Sequence, residues 1–207
     1  MQIISFKKLK SYDKTNLDSD EFYLLYCIWD KKNEKYHWSN YLNLLPQNLQ
    51  NEVLKYKNYQ DQYNCLLGKL LVLNGYYMFY GKMLDFSLYK RDKLNKPFIS
   101  NNFFNFNISH SANVVVCIFS KQDIGIDIEE INEVNFKDFE NVFSASEMEK
   151  INKYGKEKFY KFWTAKESVS KAIGEGLYMS YTSIKIKDGF ASHKNTEWFV
   201  NNFKIKK

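Results

Sequence analysis

Asp127 and Glu129 stand in the run Ile124-Gly125-Ile126-Asp127-Ile128-Glu129, and Glu167 with Lys171 in Phe162-Trp163-Thr164-Ala165-Lys166-Glu167-Ser168-Val169-Ser170-Lys171. Their types and spacing suit one kind of chemistry. In the first run the isoleucines alternate with Gly125, Asp127 and Glu129, and a period of two predicts a strand with both acids on one face. Strand rise puts such neighbours about 6–7 Å apart, within reach of one hard cation. Gly125 leaves room for something to approach the backbone. Glu167 and Lys171 are four apart, so a helix turns them the same way. A third carboxylate with a lysine one turn on suits a divalent metal holding a phosphate. Magnesium takes few protein carboxylates and completes its octahedron with water and phosphate oxygens.

A plainer reading competes. Isoleucine–acid alternation describes any half-buried strand, and Glu–Lys at four-residue spacing ties up many solvated helix faces. Spacing alone leaves both open. The elements that must position these residues narrow the choice.

Three pieces occur in order: Asn107-Ile108-Ser109-His110-Ser111, then Ile124 to Glu129, then Phe162-Trp163-x-x-Lys166-Glu167-Ser168-x-x-Lys171, with about 30 residues between the last two. Together they resemble the 4′-phosphopantetheinyl transferases of the Sfp type, over a span from about Pro46 to Leu177. The resemblance implies an α+β fold of two similar α/β subdomains about a pseudo-twofold axis, with the active site between them. The expected division is residues 1–122, the coenzyme A side, and 123–207, carrying magnesium and the catalytic helix. By that pattern the second half closes with one more apolar strand, mirroring Val114 to Phe119. The expectation is therefore a second sheet one strand short, or a chain cut before that strand.

Composition sets outer limits. At 207 residues the chain can bury a core as one domain or two small halves. An apolar share of 44% with 18% aromatic excludes a disordered chain. The net charge of +6 is spread as lysine among acids, which suits acidic or phosphorylated partners without demanding nucleic acid. Cys27, Cys65 and Cys117 sit in apolar runs with no CxxC pair, against a disulfide framework or zinc site. The segment from Met1 to Lys8 lacks a signal peptide's apolar run, and no stretch approaches 18 apolar residues. A cytoplasmic protein is expected.

In chain order, Phe22 to Trp29 predicts a buried strand followed by a polar turn, Asp30 to Asn33. Pro46 at a first turn opens helices over about 46–58 and 60–80, ending near Gly81. The Leu66-Leu67-Gly68 segment resembles the family helix that leads to the coenzyme site, with Lys55, Lys57 and Lys69 as basic candidates. Family members commonly carry an arginine two residues before that Leu-Leu-Gly, on the coenzyme's 3′-phosphate; here Asn64 stands there. Asn95-Lys96-Pro97 resembles the family's Gly-Lys-Pro turn bordering adenine, and asparagine tolerates the left-handed backbone glycine supplied. A strand from Phe103 to Ile108, a polar tip Ser109-His110-Ser111 and a buried strand from Val114 to Phe119 follow. The resemblance makes Lys96, Pro97, Ser109, His110 and Lys171 coenzyme A contacts.

Val134 to Val142 reads as a short helix, and Ser144-Ala145-Ser146-Glu147 as a capping box opening another. Capping explains Glu147 without chemistry, although the family's glutamate there has been considered for proton transfer. Lys156 to Ile173 is the longest clean helix of this half, stopped by Gly174. Gly174-Glu175-Gly176-Leu177 resembles the family's Gly-x-Gly-Leu loop. Ser183 to Lys187, a turn at Asp188-Gly189, and Glu197 to Ile205 predict two final strands.

The implied reaction joins coenzyme A to a serine of an apo acyl or peptidyl carrier protein and releases 3′,5′-adenosine diphosphate. Magnesium would be held by Asp127, Glu129 and Glu167. Lys171 would bind the pyrophosphate, and Glu167 or a metal-bound water would serve as base, with Glu147 behind it. An internally duplicated member usually acts as a monomer. Two rivals fit the bare residues: a magnesium phosphohydrolase using the same acids, and a catalytically impaired relative. A lysine- and aromatic-rich nucleic-acid module fits poorly, because the aromatics fall at core spacing and acids interrupt the lysines.

Overall fold

The computed structural model describes residues 7–8, 22–30, 38–100, 104–174 and 179–205. The expected turn at 31–33, residue 103, loop residues 175–177 and most of the N-terminal segment lie outside them. The chain divides into two compact units, Met1–Asp123 and Ile124–Lys207. No helix among the described residues is long and apolar enough to cross a membrane.

The first unit is built on a four-stranded antiparallel sheet. Its strands are β1 (Lys7–Lys8), β2 (Phe22–Ile28), β5 (Asn105–Ser111) and β6 (Val114–Ser120), in the order β1-β2-β6-β5. The central strand β6, Val-Val-Val-Cys-Ile-Phe-Ser, is buried along its whole length, as the unbroken apolar run from Val114 to Phe119 predicts. The helices α1 (Trp38–Leu42), α2 (Gln47–Leu54) and α3 (Tyr59–Tyr80) follow β2, and α3 lies across β6, β5 and β2. Asn58 caps α3 through its side chain, and Gly81 closes it at φ 64. Helix and sheet approach closely: a Cβ at Gly68 would lie 3.0 Å from Ile108 Cγ2, and one at Gly75 would enter the Phe119 ring. A short hairpin, β3 (Tyr89–Arg91) with β4 (Pro97–Ile99), was not expected from the sequence. Asn95 takes φ 65 in its loop, the conformation the asparagine was expected to tolerate.

Lys69 does not serve as a surface cation. It is 4% exposed and its Nζ donates to Glu52 Oε2 at 2.8 Å, where Arg91 also binds at 2.7 Å. Partial burial pushes the Glu52 carboxyl up, but the Arg91 and Lys69 hydrogen bonds and charges outweigh it and hold the group at about 2. A carboxyl lowered in the folded state stabilises fully above its unfolded value, near 4.5, and loses that contribution as pH falls toward 2. Glu52→Gln should therefore be less stable than wild type at neutral pH, with the gap closing between about pH 4.5 and 2 in urea titrations. A gap constant across that range would contradict the assignment.

In the second unit, α4 (Ala145–Tyr154) and α5 (Lys156–Ile173) meet at Gly155, whose φ of 73 lets the chain turn between them. Helix α5 lies on a three-stranded antiparallel sheet, β7 (Lys185–Lys187), β8 (Phe190–His193) and β9 (Thr196–Phe199), in that order. Asp188 and Gly189 form the β7–β8 turn at φ 49 and 83, both left-handed as a tight hairpin requires. Strand β8 was not anticipated. It and β9 divide a stretch in which only one strand, Glu197 to Ile205, was expected, and β9 ends at Phe199. The region 134–142 contains only a 3-10 turn, Phe136–Phe139, in which Phe136 stacks on Phe159 and Phe139 meets it edge to face.

Candidate functional site

The segment 124–129 is the main correction to the sequence reading, because it forms no strand. Its neighbour is a helix. A Cβ at Gly125 would overlap the Ser168 carbonyl oxygen and stand 2.7 Å from the Ala172 nitrogen, so the backbone crosses directly over α5. A helix offers no ladder of free amides and carbonyls, so the segment has no sheet pairing. The room that Gly125 leaves is taken by α5. Gly125→Ala should cost about 1–3 kcal/mol or more by overpacking, read as a lowered unfolding midpoint; an unchanged midpoint would contradict this crossing.

That crossing delivers Asp127 to Lys171, one turn beyond Ser168. The Lys171 Nζ lies 2.6 Å from Asp127 Oδ1, with the Asp127 side chain 5% exposed and the lysine 29%. Glu129, two residues on, is exposed. Glu167 lies one turn before Lys171 on α5, and its Oε1 accepts a hydrogen bond from the Tyr181 hydroxyl at 2.8 Å. Burial raises the Tyr181 phenol, the Glu167 bond and charge add to it, and the group reaches about 12, so it is a donor at neutral pH.

Among the described residues no three His, Cys, Asp or Glu side chains stand close enough to hold a metal ion. The donor chemistry nonetheless fits magnesium. Asp127, Glu129 and Glu167 offer only hard carboxylate oxygens, and Asp127 already holds a cation, the ammonium of Lys171.

Helix α5 owes its placement to Lys166, beside Glu167. This side chain is fully buried. Its Nζ donates to the carbonyl oxygens of Tyr181 at 2.9 Å and Ile184 at 2.5 Å, and pairs with Glu147 Oε2 at 3.0 Å. Burial pushes the lysine pKa down, against the pull of Glu147. Glu147 completes the expected capping box with Ser144, and its Oε1 accepts from the Ile186 amide at 3.2 Å. Both carboxylate oxygens are thus engaged and the residue is 3% exposed, so capping and the ion pair account for Glu147 without chemistry.

In the first unit the tip expected at Ser109-His110-Ser111 is instead the end of β5, with the turn at Ala112 and Asn113. Strand alternation separates the candidates: His110 is exposed, while Ser109 is buried. Asn64 Nδ2 lies 3.5 Å from His110 Nδ1 and donates to the Ala112 carbonyl at 3.1 Å, while Asn64 Oδ1 accepts from Trp29 Nε1 at 2.8 Å. Asn64 is 2% exposed and joins α3, Trp29 and the β5–β6 turn. An arginine would overfill this place. Lys96 and Pro97 are half-buried at the start of β4, and burial lowers the Lys96 ammonium against the pull of Asp123 and Asp92.

Tyr181 was missed because nothing in Ser180-Tyr181-Thr182-Ser183 marks it. Lys166 carried a signal that was left unused, a lysine on the apolar side of α5 between Phe162 and Val169. A cation there must find partners.

Two family models match the chain. One described as the 4′-phosphopantetheinyl transferase superfamily covers residues 123–207, and one described as 4′-phosphopantetheinyl transferase, N-terminal, covers residues 29–122. The chain is 35% identical over 152 residues to the 4′-phosphopantetheinyl transferase gsp of Aneurinibacillus migulanus, covering 70% of this chain and 64% of that protein. It is 32% identical to the L-aminoadipate-semialdehyde dehydrogenase-phosphopantetheinyl transferase of Candida glabrata, covering 70% and 60%. Identity to the 4′-phosphopantetheinyl transferase Sfp of Bacillus subtilis is 31%, covering 62% and 59%. These alignments span less than two thirds of each relative's length.

Proposed function

Because the chain belongs to the Sfp-type 4′-phosphopantetheinyl transferase family, we propose that it transfers the 4′-phosphopantetheine group of coenzyme A to a serine of an apo acyl or peptidyl carrier protein. The observation that carries this reading is the buried Asp127 carboxylate held beside Lys171 on the helix that also bears Glu167. Asp127, Glu129 and Glu167 would hold magnesium, Asp127 being already paired with one cation, the Lys171 ammonium. Bound magnesium neutralises charge on the reacting phosphoryl group and orients it.

The residues supply the rest. Lys171 would bind the pyrophosphate and stabilise negative charge on the leaving side. Glu167, or a water beside it, would take the proton from the attacking serine, while Glu147 is buried in its ion pair. A serine–phosphorus bond forms at the β-phosphate, the bond to the leaving ester breaks, and 3′,5′-adenosine diphosphate departs. His110, exposed at the end of β5 and oriented by Asn64, would bind a coenzyme phosphate, with Ser109, Lys96 and Pro97 as further contacts. The net positive charge suits an acidic carrier and speeds encounter more than it sets affinity. We assign the protein to the cytoplasm as a monomer.

The test is mass spectrometry of apo fatty-acid, polyketide and peptidyl carriers after incubation with coenzyme A and magnesium. The expected result is a gain of one phosphopantetheine on at least one carrier, dependent on magnesium. Coenzyme A breakdown at equal rate without any carrier would instead mark a phosphohydrolase.

A further inference from the structure

Three observations meet around one turn of the second unit. Tyr181 opens a 3-10 turn, Tyr181–Ser183, between α5 and β7. Its backbone carbonyl is held by the Nζ of Lys166 at 2.9 Å, and the carbonyl of Ile184, at the end of the same turn, by the same ammonium at 2.5 Å. The side chain then returns to the residue next to Lys166: its ring lies 6.0 Å from that of Trp163 at 30°, and its hydroxyl donates to Glu167 Oε1. Two adjacent residues of α5 therefore grip the two ends of one tyrosine, Lys166 its backbone and Glu167 its phenol.

We propose that Tyr181 is a positioning residue for Glu167, holding Oε1 so that the other carboxylate oxygen is presented to a divalent cation. This rests on the reading of Glu167 as a magnesium ligand. A glutamate on a helix has three rotatable bonds, and a donor fixed by its own backbone removes that freedom before the ion arrives. Hydrogen-bond partners behind a ligating carboxylate orient it, and their loss typically weakens metal binding about 10- to 100-fold. The grip on the main chain distinguishes this tyrosine from a surface residue that happens to reach a carboxylate. Its phenol cannot follow Glu167 elsewhere, because Lys166 is buried and anchored to Glu147.

The experiment uses the full chain and Mg2+ alone, by isothermal titration calorimetry, with thermal unfolding measured in EDTA. Tyr181→Phe keeps the ring on Trp163 and removes only the hydroxyl. It should weaken Mg2+ about tenfold or more and raise the Mg2+ concentration for half-maximal transfer in step, with kcat at saturating Mg2+ changed less. Tyr181→Leu, which also removes the ring contact, should lower the unfolding midpoint further while weakening Mg2+ to a similar extent. If Tyr181→Phe binds Mg2+ like wild type and only Tyr181→Leu is impaired, the residue merely fills space and the inference is overturned. A wild-type protein that takes no Mg2+ would remove the metal reading itself, and this inference with it.

Discussion

Asp127→Ala is expected to reduce magnesium-dependent phosphopantetheine transfer by roughly a thousandfold or more. A metal that polarises a phosphoryl oxygen contributes several kcal/mol of transition-state charge stabilisation, and each 1.36 kcal/mol is about tenfold in rate. The Asp127 side chain is 5% exposed, and the Gly125 crossing fixes the backbone that carries it. If Asp127 is a ligand as proposed, the exposed Glu129 cannot replace it. The fold should survive. Lys171 is 29% exposed, so the unpaired ammonium can turn to water, and the cost should stay within about 1 kcal/mol. Circular dichroism and the melting midpoint should match wild type while holo-carrier formation vanishes. Undiminished transfer by this variant would end the assignment of Asp127 as a ligand.

The largest stability effect is expected at Lys166. Lys166→Met preserves length and apolar volume but strands Glu147, which is 3% exposed, without its counter-ion. Breaking one side of a buried pair typically costs about 3–5 kcal/mol, because the remaining charge stays desolvated. In a chain of this size each kcal/mol moves the midpoint by about 2–4 °C, so a fall of roughly 10 °C is expected. The double change Lys166→Met with Glu147→Leu should recover part of the loss by removing the stranded charge. Recovery will be incomplete, since the Ser144 and Ile186 amides then lose their acceptor. A single Lys166→Met variant within about 1 kcal/mol of wild type would show that the pair contributes little.

The two predictions touch opposite sides of one helix, and the sequence prepared them unequally. Helix α5 was legible from end to end: apolar spacing, Gly174 at φ 81 behind it, and Ser144 with Glu147 opening its neighbour. So were α3 with its Gly81 cap and the buried run of β6. These rest on local preferences, which act over a few residues and leave their mark in composition. The hairpin of β3 and β4 and the strand β8 were missed. They are three or four residues long, too short for a period of two to rise above chance.

The candidate site divides along the same line. Which acids and which lysine to propose for the chemistry came from three motifs in order, because each motif couples a residue type to a fixed spacing. What those side chains touch was not. The alternation at 124–129 was read as a strand, since a period of two records only which side of the chain is buried. The neighbour turned out to be a helix. Lys69 is one of three basic candidates on its helix by sequence, and Glu52, 17 residues before it in the chain, buries it in an ion pair. Tyr181 gained its place only because Lys166 fixes the turn that carries it. Identity and order of the reacting groups lie along the chain; their partners are set by long-range contacts, whose cost and reward depend on atoms that no local window contains.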